Sequence, residues 1–404
     1  MARKPLQGVK VVDLTYFIAG PGASRLLADW GADVIKVEPE FGDPCRSLGK
    51  SLGAPTNSRE INPVYSTYNA NKRGLSINLK DSEGIAILDR LLKTAKVFVT
   101  SFRTNALTRL GLDYETLSKR HPHLIWAQVN GFGDYGPAKD NAGFDTVAFW
   151  ARSGAMMDLA EKDTSPVNPP YGFGDSSTSC SLAAGICAAL YQQSLTGQGE
   201  KVMASLFSQA IWAASSEIAS TQFNDEYPKT RKNATTPTVN SYKCKDGKWI
   251  FISMIEHERY FPVLCKLFHR EDLLVEKYIP VENAKANAVE LISILEKEFI
   301  KYTQDELVEM FTKADIANER IQHFKDVVAD PQAVENNYVY DLINRNKQVT
   351  KIAMPPVKFG GIDTDPIKDA PLVGQDTVDI LTELGYTAEE IEAFKNKKVI
   401  SMEK

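Results

Sequence analysis

The sequence lacks the signatures that announce many protein classes. No apolar run reaches the length of a membrane-spanning helix. The first residues, MARKPLQGVKVVDL, pass directly into a strand pattern without the apolar stretch of a secretory signal. No block of Lys and Arg occurs, and the 404 residues carry a formal net charge of −5, so nucleic acid is not an expected partner. The five cysteines (Cys45, Cys180, Cys187, Cys244 and Cys265) are odd in number, scattered and never spaced CxxC. That usage suits reduced thiols and a cytoplasmic protein. The five histidines (His121, His123, His257, His269 and His323) include no HExxH and none beside a cysteine pair, so no metal site is expected. The GxSxG of many hydrolases is also absent.

What is present is a long chain, 43% hydrophobic, able to fill a sizeable core and two domains. Residues 8–38 read as one βαβ unit: the strand VKVVDL, a GPGAS turn opening the helix SRLLADWGA, and the strand DVIKVE ending at Glu38. The theme repeats in LSINL, the helix SEGIAILDRLLKTA and the strand KVFVT. A helical stretch, TNALTRLGLDYETLSKR, and the strand LIWAQVNGF come next. Strands alternating with helices predict an α/β domain with a mainly parallel sheet. From residue 225 the composition turns polar, then a hairpin (YKCK, turn DG, KWIFIS) and helices near 258–268, 288–300 and 303–313 predict a smaller α+β domain. The domain reading is 1–224 large, 225–330 small, and 331–404 returning to the large domain. That last span reads as loop-rich before a helical segment, TVDILTELGYTAEEIEAFKNKKVI.

Four places could carry chemistry. Glu38 with Gly20 and Gly22 would suit a dinucleotide site, but no third glycine is in phase, so an ordinary doubly wound unit whose turn lies near a ligand is the better reading. Asp175, in YGFGDSSTSC, is either the N-cap of the next helix or a working carboxylate. Gly172 and Gly174 let backbone come close to a ligand, and the small residues after Asp175 leave room. A helix N-terminus would favour the ionised acid and supply N–H donors, so Asp175 could act as a nucleophile. Attack on a thioester would make a short-lived anhydride, and the ISMIEHERY segment could supply a lid. Asp145, in GFDTVAFWARSGAM, reads as a capping acid or a site residue, with Phe149, Trp150 and Met156 as core. Lys72, Arg73, Arg103 and Arg109 read as surface charges or as partners of a polyphosphate ligand.

Taken in order, GVKVVDLTYFIAGPGASRLLADWGADVIKVEPEFGDPCR, NANKRGLSINLK, SFRTNALTRLGLDYETL, NGFGDYGP, GFDTVAFWARSG, GFGD and TGQGEKVMASL resemble the family III CoA-transferases. The likeness covers most of residues 8–210, and PPVKFGGI with VGQDTVDILTELGYTAEEIEAF extends it. The resemblance implies a Rossmann-like large domain built from both chain ends, a small α+β domain and an interlocked-ring homodimer. It implies that Asp175 attacks an acyl-CoA, passing through an anhydride and an aspartyl-CoA thioester, with CoA as a substrate and no other cofactor. It places CoA contacts at Tyr16, Ile18, Ala19, Asn71, Lys72, Phe102, Arg109, Val129 and Asn130. At Asn130 this chain departs from a family lysine. The related racemases carry Gly-His-Asp where this chain has Gly143-Phe144-Asp145, which removes one of two proton-transfer groups. A run of glycines in the lid of formyl-CoA enzymes is replaced here by ISMIEHERY, which suggests a bulkier acid. The pattern looks closest to transferases that pass CoA to (R)-2-hydroxy acids such as 2-hydroxyisocaproate or an aryl-lactate. Such an enzyme would be expected to work beside a 2-hydroxyacyl-CoA dehydratase. The alternatives are a racemase-like enzyme, or a CoA- or nucleotide-binding protein without this chemistry.

Overall fold

The computed structural model describes residues 4–52, 62–360 and 366–402. Gly361 and Ile362, which end the PPVKFGGI motif, lie outside the described residues. Two compact units form. The first takes the chain up to Ala155, residues 168–218 and the segment from Pro331 onward; the second takes Met156–Val167 and Ala219–Asp330.

Short β-rich runs alternate with helices along the first two hundred residues. They are β1 (Lys10–Leu14), α1 (Ala19–Asp29), β2 (Asp33–Glu38), α2 (Pro63–Asn69), β3 (Arg73–Ser76), α3 (Ser82–Leu92), β4 (Val97–Thr100), α4 (Thr104–Leu110), α5 (Tyr114–Arg120) and β5 (Ile125–Asn130). A π-helical stretch, Asp145–Ala151, and the single turn α6 (Ala155–Asp158) precede α7 (Phe173–Thr196), β6 (Lys201–Ser205) and α8 (Leu206–Ala213). The six strands form one parallel sheet in the order β3-β2-β1-β4-β5-β6. Residues of β1, β2, β4 and β5 are nearly all buried, as parallel strands covered on both faces require. On α3, Ile87, Leu88, Leu91 and Leu92 form the apolar stripe that joins Val12, Ile35, Leu75 and Phe98 in one core. Where β1 meets both β2 and β4 the winding direction reverses, and the crevice beyond the strands' carboxyl ends is where such sheets take ligands.

Several local readings change. GPGAS is not a turn: it lies inside α1, whose first residue is Ala19. Gly22 is there because α1 and α7 touch; a Cβ on it would stand 2.3 Å from the Ser179 Oγ. The stretch after β4 is two helices, parted by Gly111 in the left-handed region at φ 66°. The expected loops after residue 331 contain an antiparallel hairpin, Val339–Ile343 with Val349–Ala353, before helices Thr377–Glu383 and Ala388–Asn396. The end of the chain closes on β3: the Asn78 N–H donates to the Val399 carbonyl at 2.8 Å and Ile77 bridges to Ile400.

The second unit holds the expected hairpin, Val239–Lys243 with Trp249–Ser253, and a third antiparallel strand, Asn318–Arg320, extends it. Helices His257–Leu267, Ala288–Phe299 and Gln304–Lys313 fall where the periodicity puts them. Their core includes Phe261, Phe299 and Phe311, with Tyr242 stacked on Phe299 at 4.2 Å. In the lid candidate ISMIEHERY, Ile255 is exposed, while His257 is buried between the Thr238 hydroxyl and the Tyr278 carbonyl. Among the described residues no helix is long and apolar enough to cross a membrane.

Candidate active site

The segments that leave β1, β4 and β5 stand side by side at the carboxyl ends of the sheet, where doubly wound sheets take ligands. After β1 the Tyr16 N–H donates to the Ser101 hydroxyl at 2.8 Å, and the Tyr16 ring rests on Phe102 at 4.8 Å. Burial pushes the Tyr16 hydroxyl up to about 12. Ile18 and Ala19, both buried, begin α1. Val129 and Asn130 end β5, where the Asn130 side chain accepts from the Gly133 N–H at 2.7 Å. Arg103 and Arg109, at the two ends of α4, are exposed, and neither has an ion-pair partner among the described residues. Tyr16, Ile18, Ala19, Phe102, Val129 and Asn130 therefore belong to the carboxyl ends of three neighbouring strands and the segments just beyond them, while Arg109 lies farther along, in the last turn of α4.

Asn71 and Lys72 do not join them. The Lys72 ammonium is buried and commits its three N–H groups to Asp13 Oδ2 (2.8 Å), the Pro21 carbonyl (2.9 Å) and Asn69 Oδ1 (2.9 Å). Asn71 donates to Asp29 at 2.6 Å and accepts from the Lys368 N–H at 2.8 Å. Arg73 is held by Asp33 and Glu383. In this arrangement none of the three is turned toward a phosphate. Nor is Glu38 free for a ribose: it is fully buried, takes two hydrogen bonds from the Arg46 guanidinium at 2.9 and 2.7 Å, and accepts the Asp43 N–H. That removes the acid on which the dinucleotide reading depended.

Asp175 is not the cap of its helix. The cap of α7 is Gly172, in the left-handed region at φ 77°, and Asp175 is the third helical residue, in the first turn. Around it stand parts of two other helices. The Ser179 hydroxyl donates to the Ala19 carbonyl at 2.8 Å, and the Tyr68 hydroxyl shares a 2.8 Å hydrogen bond with Ser176. Nothing local in the sequence points to Tyr68, because it lies 108 residues away from Ser176 along the chain.

Asp145 is the second acid of the site. It opens the π-helical stretch without capping it; its side chain is buried and faces the N–H groups at the start of α7. Gly174 makes the approach possible, since a Cβ there would stand 2.2 Å from Asp145 Oδ1 and 2.3 Å from the Phe149 ring. The N–H groups of Gly172 to Asp175 are near enough to pull on the Asp145 charge, yet neither of its oxygens completes a hydrogen bond. Burial outweighs that pull and raises Asp145 above the usual carboxylate range. Phe149 and Trp150 are core, as expected, whereas Met156 is only partly buried.

The pair changes the electrostatics expected of Asp175. A helix start favours an ionised acid, but burial first, and the Asp145 charge second, push the Asp175 carboxyl up to about 7. The backbone donors of α7 face Asp145 rather than Asp175. A carboxyl raised in this way stands near neutrality, where it is suited to proton or acyl chemistry.

A doubly wound α/β protein with a crevice at the switch point and a perturbed carboxyl pair beside it is the class that fold and site define. Residues 6–377 match the family model described as CoA-transferase family III, and the chain belongs to that family. It is 39% identical over 396 residues to the (R)-2-hydroxy-4-methylpentanoate CoA-transferase of Clostridioides difficile, covering 98% of this chain and 99% of that one. It is equally 39% identical, over 402 residues, to the cinnamoyl-CoA:phenyllactate CoA-transferase of Clostridium sporogenes, covering 98% and 97%. Among solved structures, a CAIB/BAIF family protein from Brucella suis superposes with a TM-score of 0.81 at 26% identity, over 95% of this chain and 100% of that one.

Proposed function

We propose that this enzyme moves CoA from an acyl-CoA or 2-enoyl-CoA to a free (R)-2-hydroxy acid with a bulky apolar side chain, with Asp175 as the nucleophile. The observation that carries the reading is the placement of a partly buried carboxyl, shifted to about 7, beside the ligand crevice. The two relatives at 39% identity, named for 2-hydroxy-4-methylpentanoate and for phenyllactate, support the choice of acid.

The Asp175 carboxylate attacks the thioester carbonyl, and CoA thiolate leaves an acyl-aspartyl anhydride. The thiolate then attacks the Asp175 carbonyl, giving the aspartyl-CoA thioester and releasing the donor acid. The acceptor carboxylate attacks that thioester and expels the thiolate. Attack of the thiolate on the acceptor's carbonyl gives the new acyl-CoA and restores Asp175. Each step exchanges one acyl bond for another, so no energy source is needed. CoA would lie along Tyr16, Ile18, Ala19, Phe102, Val129 and Asn130, with Arg109 and Arg103 free for its phosphates. Phe144 carries no proton to exchange, which weighs against racemisation.

The working form is proposed to be a homodimer in the cytoplasm, supplying a 2-hydroxyacyl-CoA dehydratase. Incubating the enzyme with acyl-CoA and hydroxylamine is expected to leave a hydroxamate on the peptide containing Asp175. Full exchange activity in Asp175→Ala would sink the assignment.

A further inference from the structure

Between β1 and α1, Phe17 adopts a conformation that side chains avoid. Its φ is 65°, in the left-handed region, which costs on the order of 1 kcal/mol or more for such a residue. Its surroundings hold it there. The Phe17 N–H donates to Asp43 Oδ1 at 3.2 Å, and Asp43 is itself fixed by the Cys45 N–H at 2.9 Å and the buried Lys36 ammonium at 3.1 Å. Lys36 also donates to the Thr15 carbonyl at 2.9 Å, and the Tyr16 N–H is held by Ser101. A loop so firmly constrained aims its side chain. The Phe17 ring meets the edge of Phe144, with centroids 5.5 Å apart and planes at 87°.

Phe144 is 55% exposed and stands immediately before Asp145, the carboxyl that presses on the start of α7. Ile18, next to Phe17, would touch a Cβ on Gly172, three residues before Asp175. An open aromatic corner therefore lies beside the carboxyl pair. The core is not the reason for it, because a core residue would not be left half exposed.

We propose that Phe17 and Phe144 form the wall that receives the side chain of the carboxylic acid, and so set the preference for aryl and branched acids over small ones. The inference rests on the transferase reading for its choice of acid. A charged or methyl-sized side chain gains little from such a wall, whereas a phenyl ring can lie against both rings.

The test is equilibrium binding of 3-phenyllactate and lactate to the full chain saturated with CoA, read without turnover. The wild type is expected to prefer 3-phenyllactate by about tenfold or more. In Phe144→Ala the preference is expected to shrink to about threefold or less, with CoA affinity unmoved. Phe144 is half exposed, so its truncation leaves the core intact; Phe17→Leu, which keeps bulk in the strained loop, is expected to retain part of the preference. An unchanged preference in Phe144→Ala, an equal loss for both acids, or no preference in the wild type overturns the proposal. Selective binding lost in Phe144→Ala by a protein that exchanges no CoA would leave the wall standing and remove the transferase reading.

Discussion

At the scale of single residues, the chemistry depends on how two acids share one small space. As the proposed nucleophile, Asp175 would have to be ionised to attack, yet burial and the nearby Asp145 charge raise its carboxyl to about 7. The rate of the first acyl transfer is therefore expected to rise with pH through about 7. Removing the neighbouring negative charge favours the ionised form. Asp145→Asn is thus expected to shift the rising limb of the pH–rate profile to lower pH, measured by pre-steady-state release of CoA. An unmoved limb would mean that burial alone sets the shift. Asp175 was legible in the sequence from its glycine-flanked place before a small-residue helix. Its altered acidity was not, because part of the cause is a residue about thirty positions earlier.

At the scale of the element, α7 is the part that assembles the site. Its first turn carries Asp175, and its flank packs on α1 through Ser179. Gly174 is the point where α7 meets Asp145 and Phe149. Gly174→Ala is expected to push the first turn aside and to lower CoA exchange by about a hundredfold, as displacements near ~1 Å do at reacting groups. Gly360→Ala, with nothing among the described residues within 4 Å of the added carbon, serves as the control. Equal activities for the two variants would show that the close approach has no catalytic weight. The helix itself was readable from its small and apolar residues and the TGQG stop. The change of its cap from Asp175 to Gly172 was not, since both residue types cap helices; the Gly172 carbonyl takes the first hydrogen bond of α7, from the Ser176 N–H at 2.9 Å.

At the scale of the whole molecule, the order β3-β2-β1-β4-β5-β6 sets the carboxyl ends of β1 and β5, more than a hundred residues apart, on either side of β4. The first unit also leaves large apolar side chains in the open, among them Tyr191 and Leu195 on α7 and Trp212 on α8, each more than two-thirds exposed. Such groups are costly in water and suit a second copy of the chain. Sedimentation equilibrium is expected to give twice the 44.8 kDa of one chain, and Trp212→Glu to shift the population toward the monomer. A wild-type monomer at working concentration would remove the dimer from the proposal.

The sequence by itself determined the class of fold, through alternating strand and helix periods. It also determined the family, through an ordered set of motifs, and the candidate nucleophile. These are local patterns or their order, and both survive without knowledge of distance. Only the tertiary structure decided which charges are free. Lys72 and Arg73 looked like phosphate partners but are held by Asp13, Asp33 and Glu383, while Arg103 and Arg109 remain open. It also brought Asp145 to Asp175 and Phe17 to Phe144. The physical reason is the same in each case: a charge or a ring acquires its role from what lies within a few ångströms, and folding chooses those neighbours from distant parts of the chain.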